Sequence, residues 1–470
     1  MRRQVRPVSI IFDGSMLHEL APDACYSVLV RFVRDGVICQ RVLRFQLNSL
    51  QKALTSPESA FVLAQALETC GVSYSDVLAW VCDGSTTNSA TLDIVKGASF
   101  NAVEVGCFSR ALETMGKKGK FSAIAAFFAG WNGIIASPKA RAVVKQVFGR
   151  KPVPQSDIDL HWFSFWDQCE QLMLHSKLIL TALTNLKQDD DICPASVAEC
   201  LQVVQDPAGM FFYELATMVD VLGCFRRTCR YLEGDGFLSP FTYDKIGNCD
   251  SFARCPSHLN LNALLATVLP QDADRIRQHC LGCVLPCLEY FKSTVTADGA
   301  PFEKAMKVFK AAQLFHPYRY RSHHSKLREW LSDVPFVGGA HLSQANRECT
   351  FAELEKESAR YLQLAERLHW RDADELDLEA WWSAHGADLP HFSQLAWKFA
   401  LVQPSSAAIE RSFGSGWRSE DALSLIEFSM EAAHQGAVMS RYNERKREEE
   451  AKRLSRFPSA EAYLPKDHMY

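Results

Sequence analysis

The stretch Val77-Leu78-Ala79-Trp80-Val81-Cys82-Asp83-Gly84-Ser85-Thr86-Thr87-Asn88 decides the fold class. Its first six residues are apolar without alternation, the mark of a strand buried on both faces, as in a parallel sheet. A helix follows to about Lys96. On the amino-terminal side, Pro57 to Cys70 has helical spacing, with Phe61, Val62, Ala64 and Leu67 apolar. Gly71 is its expected C-cap. Before that helix come three β-rich segments: Val8 to Phe12, Cys25 to Val33 and Val37 to Phe45. Arg34-Asp35-Gly36 is a hairpin signal between the last two. On the carboxyl side, Ala102 to Gly106 reads as a short strand and Cys107 to Met115 as a helix. The order β-β-β-α-β-α-β-α predicts a mixed α/β sheet with helices packed on it.

Two aspartates stand at strand ends in this order, Asp13 after the first strand and Asp83 after the fourth. Sites in α/β sheets gather at the carboxyl ends of parallel strands. If the two strands are neighbours, the carboxylates face each other and repel unless a cation sits between them. Hard oxygen donors suit Mg²⁺ or Mn²⁺, which can activate a water or a 3′-hydroxyl for attack on a phosphodiester. The competing reading is structural, because aspartate followed by glycine is also a common turn.

The 470 residues are 47% hydrophobic and 23% charged, enough for more than one core. A net charge of −4 gives no global basic footprint, so any nucleic-acid surface is local. Sixteen scattered cysteines with no secretory signal before them suggest reduced thiols in a cytosolic or nuclear compartment. The basic start, Met1 to Pro7, has no long apolar run behind it. No stretch approaches the roughly 18–20 apolar residues of a membrane span.

From about Lys120 to Phe148 the chain reads as helical, and Gly149 to Ser156 as a boundary. Asp159 opens a long helical region running to about Leu368. Breaks are expected at 188–194, 234–250, 270–272, 293–301 and 332–342, which makes it a helical domain rather than a loop. Cys249-x5-Cys255-x2-His258 and the group His279, Cys280, Cys283, Cys287 lack the paired spacing of zinc sites. Cys280, Cys283 and Cys287 fall at i, i+3, i+7, a buried helix stripe. The segment His316 to Arg328 interleaves basic and aromatic residues, a pattern that suits phosphate contact with base stacking or else a solvated loop.

Near the end, Phe392 to Leu401 is an apolar helix. The break Pro404-Ser405-Ser406 leads into Ala407-Ala408-Ile409-Glu410-Arg411-Ser412-Phe413. Ser405 or Ser406 can cap the new helix, whose positive end favours Glu410. Ser419 to Met439 is amphipathic, and Arg441 to Arg456 is a solvated, charge-dense helix.

These landmarks, in this order, resemble the transposase core of the hAT superfamily. The matching residues are Ile10-Ile11-Phe12-Asp13, Cys82-Asp83 with Asn88, Cys107, His161-Trp162, Trp381-Trp382, Pro390 and Pro404 to Phe413. Ser440-Arg441-Tyr442-Asn443 in the closing helix is also similar. The resemblance implies an RNase H-like mixed sheet interrupted by a large all-α insertion and closed by C-terminal helices. On that reading residues 1–164 are the first part of the catalytic domain and 165–385 the insertion. Residues 386–470 then hold the C-terminal catalytic helix and the dimerisation helices.

The resemblance further implies that Asp13, Asp83 and Glu410 are a catalytic and metal-binding acid triad using Mg²⁺ or Mn²⁺. Trp162 would be a wedge beside a flipped base, next to His161. Arg319, Arg321, Lys326 and Arg411 are candidate DNA contacts. Expected partners are transposon ends, target DNA and a second copy of the chain, with the nucleus as compartment and no membrane. The sequence departs from the family pattern in four places. No zinc-finger segment precedes Val8, Gly14-Ser15-Met16 replaces the residues often found after the first aspartate, Cys107-Phe108-Ser109-Arg110 replaces Cys-x-x-His, and His161-Trp162 replaces Arg-Trp. The alternative reading is a domesticated, catalytically inactive DNA-binding or protein-interaction dimer.

Overall fold

A computed structural model describes residues 7–16, 24–48, 54–99, 101–154, 162–188, 194–206, 209–254, 256, 258–369 and 376–409. Three strands open the chain: β1 (Val8–Met16), β2 (Ala24–Arg34) and β3 (Val37–Asn48). Asp35 and Gly36 both take positive φ, 53° and 73°, in the tight turn joining β2 to β3. Such a turn matches the strands' own twist, which is why Asp-Gly selects it. Then come α1 (Ser56–Thr69), β4 (Val77–Cys82), α2 (Thr86–Val95), β5 (Val103–Gly106) and α3 (Phe108–Gly116). Gly71, at φ 64°, closes α1 as expected. Its amide donates to Glu68 O and that of Val72 to Leu67 O, pairing carbonyls the helix end leaves open.

The sheet order is β3-β2-β1-β4-β5. β1 is antiparallel to β2 and parallel to β4, with Phe12 opposite Cys82, and β5 is parallel to β4. The mixed sheet predicted from the sequence is therefore present, and its first and fourth strands are neighbours. All six residues of β4 are buried. Trp80 and Cys82 pack with Ile10, Phe12 and α1 on one side, while Ala79 and Val81 join a larger core on the other.

That larger core runs without a break into the helical region. Its helices are α4 (Ser122–Ala136), α5 (Pro138–Phe148), α6 (Trp162–Leu174), α7 (Ser176–Lys187) and α8 (Pro194–Gln205). Next come α9 (Phe211–Leu232), α10 (Ser239–Arg254), α11 (Leu259–Leu265), α12 (Pro270–Phe291) and α13 (Glu303–Ala312). The series continues with α14 (Pro317–His323), α15 (Leu327–Ser332), α16 (Pro335–Gly338) and α17 (Gln344–Ala365). It ends on α18 (Leu378–His385) and α19 (Pro390–Leu401).

Two expectations need correction. The break expected over 234–250 is short, because α10 already begins at Ser239; Phe241, Ile246 and Cys249 give it a buried face that outweighs Pro240 and Gly247. Proline fits there because it occupies the first turn. The segment 316–328 is not a loop either. It forms α14 and the start of α15, held by Tyr320, fully buried and stacked on Tyr361 at 4.0 Å.

One buried cation joins the parts. Arg31, on β2, has no exposed surface. It donates from Nε and Nη2 to Ala400 O at 3.1 and 3.0 Å, and also to Gly236 O. Gln403, with its amide oxygen turned to the guanidinium, accepts from Nη1 at 2.6 Å. A cation at the carboxyl end of α19 complements the helix dipole. It also fixes where the chain leaves that helix.

Candidate functional site

The site begins at the ends of β1 and β4. Side-by-side parallel pairing brings Asp13 and Asp83 to the same edge of the sheet. Asp13 is buried, at 6% exposure, and Asp83 is half-buried. The residue that joins them is Asn88, itself buried in the first turn of α2. Its Nδ2 donates to Asp13 Oδ1 at 2.8 Å and to Asp83 Oδ1 at 2.6 Å. Both carboxylates therefore lie within reach of one amide nitrogen.

Local backbone fixes each acid. Gly14 N–H donates to Asp13 Oδ1 at 2.7 Å, and Ser85 N–H to Asp83 Oδ1 at 3.0 Å. Ser85 Oγ accepts the Asn88 amide at 3.2 Å and so caps α2. The order Asp83, Ser85, Asn88 thus makes a turn, a cap and a bridge from six residues. Burial, and after it the charges of Asp83 and Asp13, push the Cys82 thiol well up. Burial, Cys82 and Asp13 do the same to the Tyr26 hydroxyl. Both neighbours stay neutral, so the two aspartates supply the oxygen donors of this edge. An all-oxygen carboxylate set fits a hard divalent cation.

The C-terminal stretch docks beside this edge. Cys107 N–H donates to Cys82 O at 2.8 Å, extending the β4–β5 ladder by one residue. Phe108 N–H then donates to Pro404 O at 2.9 Å. Cys107 Sγ lies 3.4 Å from Ser405 Oγ and accepts from Ser406 N–H at 3.4 Å. Ser405 Oγ accepts the Ala407 amide at 3.1 Å, and residues 407–409 enter a helical turn with Ile409 fully buried. Residues almost three hundred positions apart are thereby joined one residue beyond β5. Glu410 and Arg411 lie outside the described residues, as do His161 and the side chain of Trp162.

The remaining candidates sit on α14 and just after it. Arg319 is half-buried, pairs with Asp244, donates to Pro240 O at 3.2 Å and lies over the Phe241 ring. Arg321 is exposed, donates to Leu368 O at 3.3 Å and covers Tyr318. Lys326 is exposed and pairs with Glu329 at 2.9 Å. Sequence reasoning took Asn88 as part of a pattern but missed that it bridges the acids. The signal was its position, three residues after the serine that caps its helix.

Residues 357–431 match the family model for the hAT family C-terminal dimerisation region. The match starts in α17, takes in α18, α19 and the docked Pro404 to Ile409 stretch, and continues beyond them. No curated protein matches the chain.

Proposed function

We propose, on the premise that this chain belongs to the hAT family, that it is a metal-dependent DNA transposase or a close derivative of one. Its five-stranded sheet is then an RNase H-like core, with Asp13, Asp83 and Glu410 as the acids that cut and join DNA. The observation that carries this reading is the single Asn88 amide bonded to both aspartates, with Pro404 to Ile409 docked at the same edge. Glu410 follows Ile409 in the sequence. One or two Mg²⁺ or Mn²⁺ ions, held by these carboxylates, would supply activation of the attacking water or 3′-hydroxyl and stabilisation of the leaving oxygen.

The chain's own residues prepare that edge. Asn88 sets the spacing of the two carboxylates, and the Gly14 and Ser85 amides fix their rotamers. Arg31 and the Cys107–Ser405 contact fix the path of the segment that delivers Glu410. Arg321 and Lys326, exposed, serve as phosphate contacts, and Trp162 stacks at the cleaved end. The dimerisation region supports assembly of the chain with a second copy. No helix among the described residues is long and apolar enough to cross a membrane. Chromosomal DNA as substrate gives the nucleus as the compartment.

The test is nicking and strand transfer by the purified chain with Mn²⁺ on DNA carrying the element's ends. Activity that disappears in Asp83→Asn supports the assignment. DNA binding and dimerisation without any cleavage would select a domesticated, inactive dimer instead.

A further inference from the structure

A second cluster lies in the helical region, apart from the acids. Glu214 sits on α9; His279 and Cys283 sit four residues apart on one face of α12. Glu214 has no exposed surface. Its Oε2 accepts the Ala123 and Ile124 amides at 2.9 and 3.2 Å, pairing donors that the start of α4 leaves open. Its Oε1 faces the other way. It lies 2.8 Å from His279 Nε2, 3.4 Å from Ser122 Oγ and 3.9 Å from Cys283 Sγ. Cys283 Sγ is 3.6 Å from that same Nε2. An oxygen, a nitrogen and a sulfur donor therefore lie within 4.8 Å of one another.

Two ordinary arrangements could explain such a group. A thiol–imidazole–carboxylate relay uses both ring nitrogens, one toward the thiol and one toward the acid. Here both partners approach Nε2, so a relay does not fit. A simple Glu–His pair explains the 2.8 Å contact but not the convergence of the sulfur on the same two atoms. Ligands around one ion do converge in this way. Tetrahedral zinc, with bonds of about 2.0–2.3 Å, holds its donors about 3.3–3.6 Å apart. The observed 2.8, 3.6 and 3.9 Å bracket that range.

We propose that Glu214, His279 and Cys283 form a three-ligand site for one zinc-class divalent cation. Mixed oxygen, nitrogen and sulfur donors select Zn²⁺ or Co²⁺ over Mg²⁺ and Mn²⁺. The His279 side chain is 36% exposed, which gives a solvent water access to the fourth position. On binding, the Cys283 thiol releases its proton to solvent, and the thiolate and carboxylate together balance the ion's charge. The ion ties α9 to α12 and, through Oε2 of Glu214, to the start of α4. Its role is a clamp inside the helical region, independent of the chemistry at Asp13 and Asp83.

Cobalt titration of the full chain, first stripped of metal with a chelator, tests the site. The expected result is a near-ultraviolet thiolate-to-cobalt charge-transfer band that saturates at one equivalent and is displaced by Zn²⁺. The band is lost in Cys283→Ser and in His279→Gln and kept in Cys280→Ser. Carboxylates at the sheet edge bind cobalt without a thiolate band, so this readout stands whether or not the transposase reading does. No band in the wild-type chain overturns the proposal, as does an unchanged band in His279→Gln. That second variant changes a half-exposed position and decides the matter even if Cys283→Ser fails to fold.

Discussion

Replacing Asn88 with alanine removes the bridge between the two aspartates, and the structure sets the size of the effect. Asp13 is almost wholly buried, so its bond from Nδ2 is a charge-assisted hydrogen bond out of water. Such a bond contributes about 1.5–3 kcal/mol. The bond to Asp83 is half-exposed and contributes less, about 0.5–1 kcal/mol after solvent screening. The variant also leaves two carboxylates facing each other without the amide dipole between them. Local destabilisation of the β1–β4 pair is therefore about 2–4 kcal/mol. Hydrogen exchange of the β1 and β4 amides reads this directly, with rates expected to rise about 30- to 900-fold in metal-free protein. The amides of α12 serve as the control and are expected to keep their rates. Mn²⁺ should restore protection in the variant, because a cation takes over the role of the amide. Unchanged exchange in β1 and β4 would refute the claim that Asn88 holds the pair together.

Arg31→Met strips the Ala400 and Gly236 carbonyls of a buried donor, each group costing about 1–3 kcal/mol if left unpaired. Limited proteolysis is expected to cut after Leu401 in this variant and to leave the wild type intact; equal resistance would show that the clamp does not matter. Ser405→Ala removes the acceptor for the Ala407 amide and is expected to cost about 1 kcal/mol, read as a lowered denaturant midpoint; no shift there would mean the turn is held from elsewhere. Cys224 lies 3.7 Å from Cys249, and the hydrogen bond between the two sulfurs lowers the Cys224 pKa below the ordinary thiol range. Alkylation of Cys224 should therefore rise at lower pH than that of a free thiol, at about 8.5. Cys249→Ala is expected to move that midpoint upward, and an unmoved midpoint would exclude the sulfur–sulfur bond as its cause.

Much of the sheet was legible because its signals are local. An unbroken apolar run gave β4, Asp-Gly gave the hairpin, and Gly71 gave the end of α1. The adjacency of Asp13 and Asp83 stayed conditional in the sequence, since a crossover helix places the next strand beside an earlier one without specifying which; the β1–β4 pairing supplies it. The Asn88 bridge was harder to read, because an asparagine near a helix start has several common uses. The region 316–328 was misread as a loop for a related reason. Its interleaved polar and aromatic residues hide the helix that Tyr320 anchors in the core, stacked on Tyr361. The Glu214–His279–Cys283 group is invisible in sequence, because its carboxylate comes from a helix sixty-five positions earlier than the histidine. Only packing brings it there.

The central claim is that Asp13, Asp83 and Glu410 share one divalent centre, and iron-directed cleavage of the protein backbone tests it most directly. Fe²⁺ bound in place of Mg²⁺ or Mn²⁺, then treated with ascorbate and peroxide, cuts the chain near its ligands. The account predicts fragments ending around Asp13, around Asp83 and within the 404–413 segment, all suppressed by excess Mn²⁺ and lost in Asp83→Asn. Cuts near Asp13 and Asp83 with none in 404–413 would contradict it.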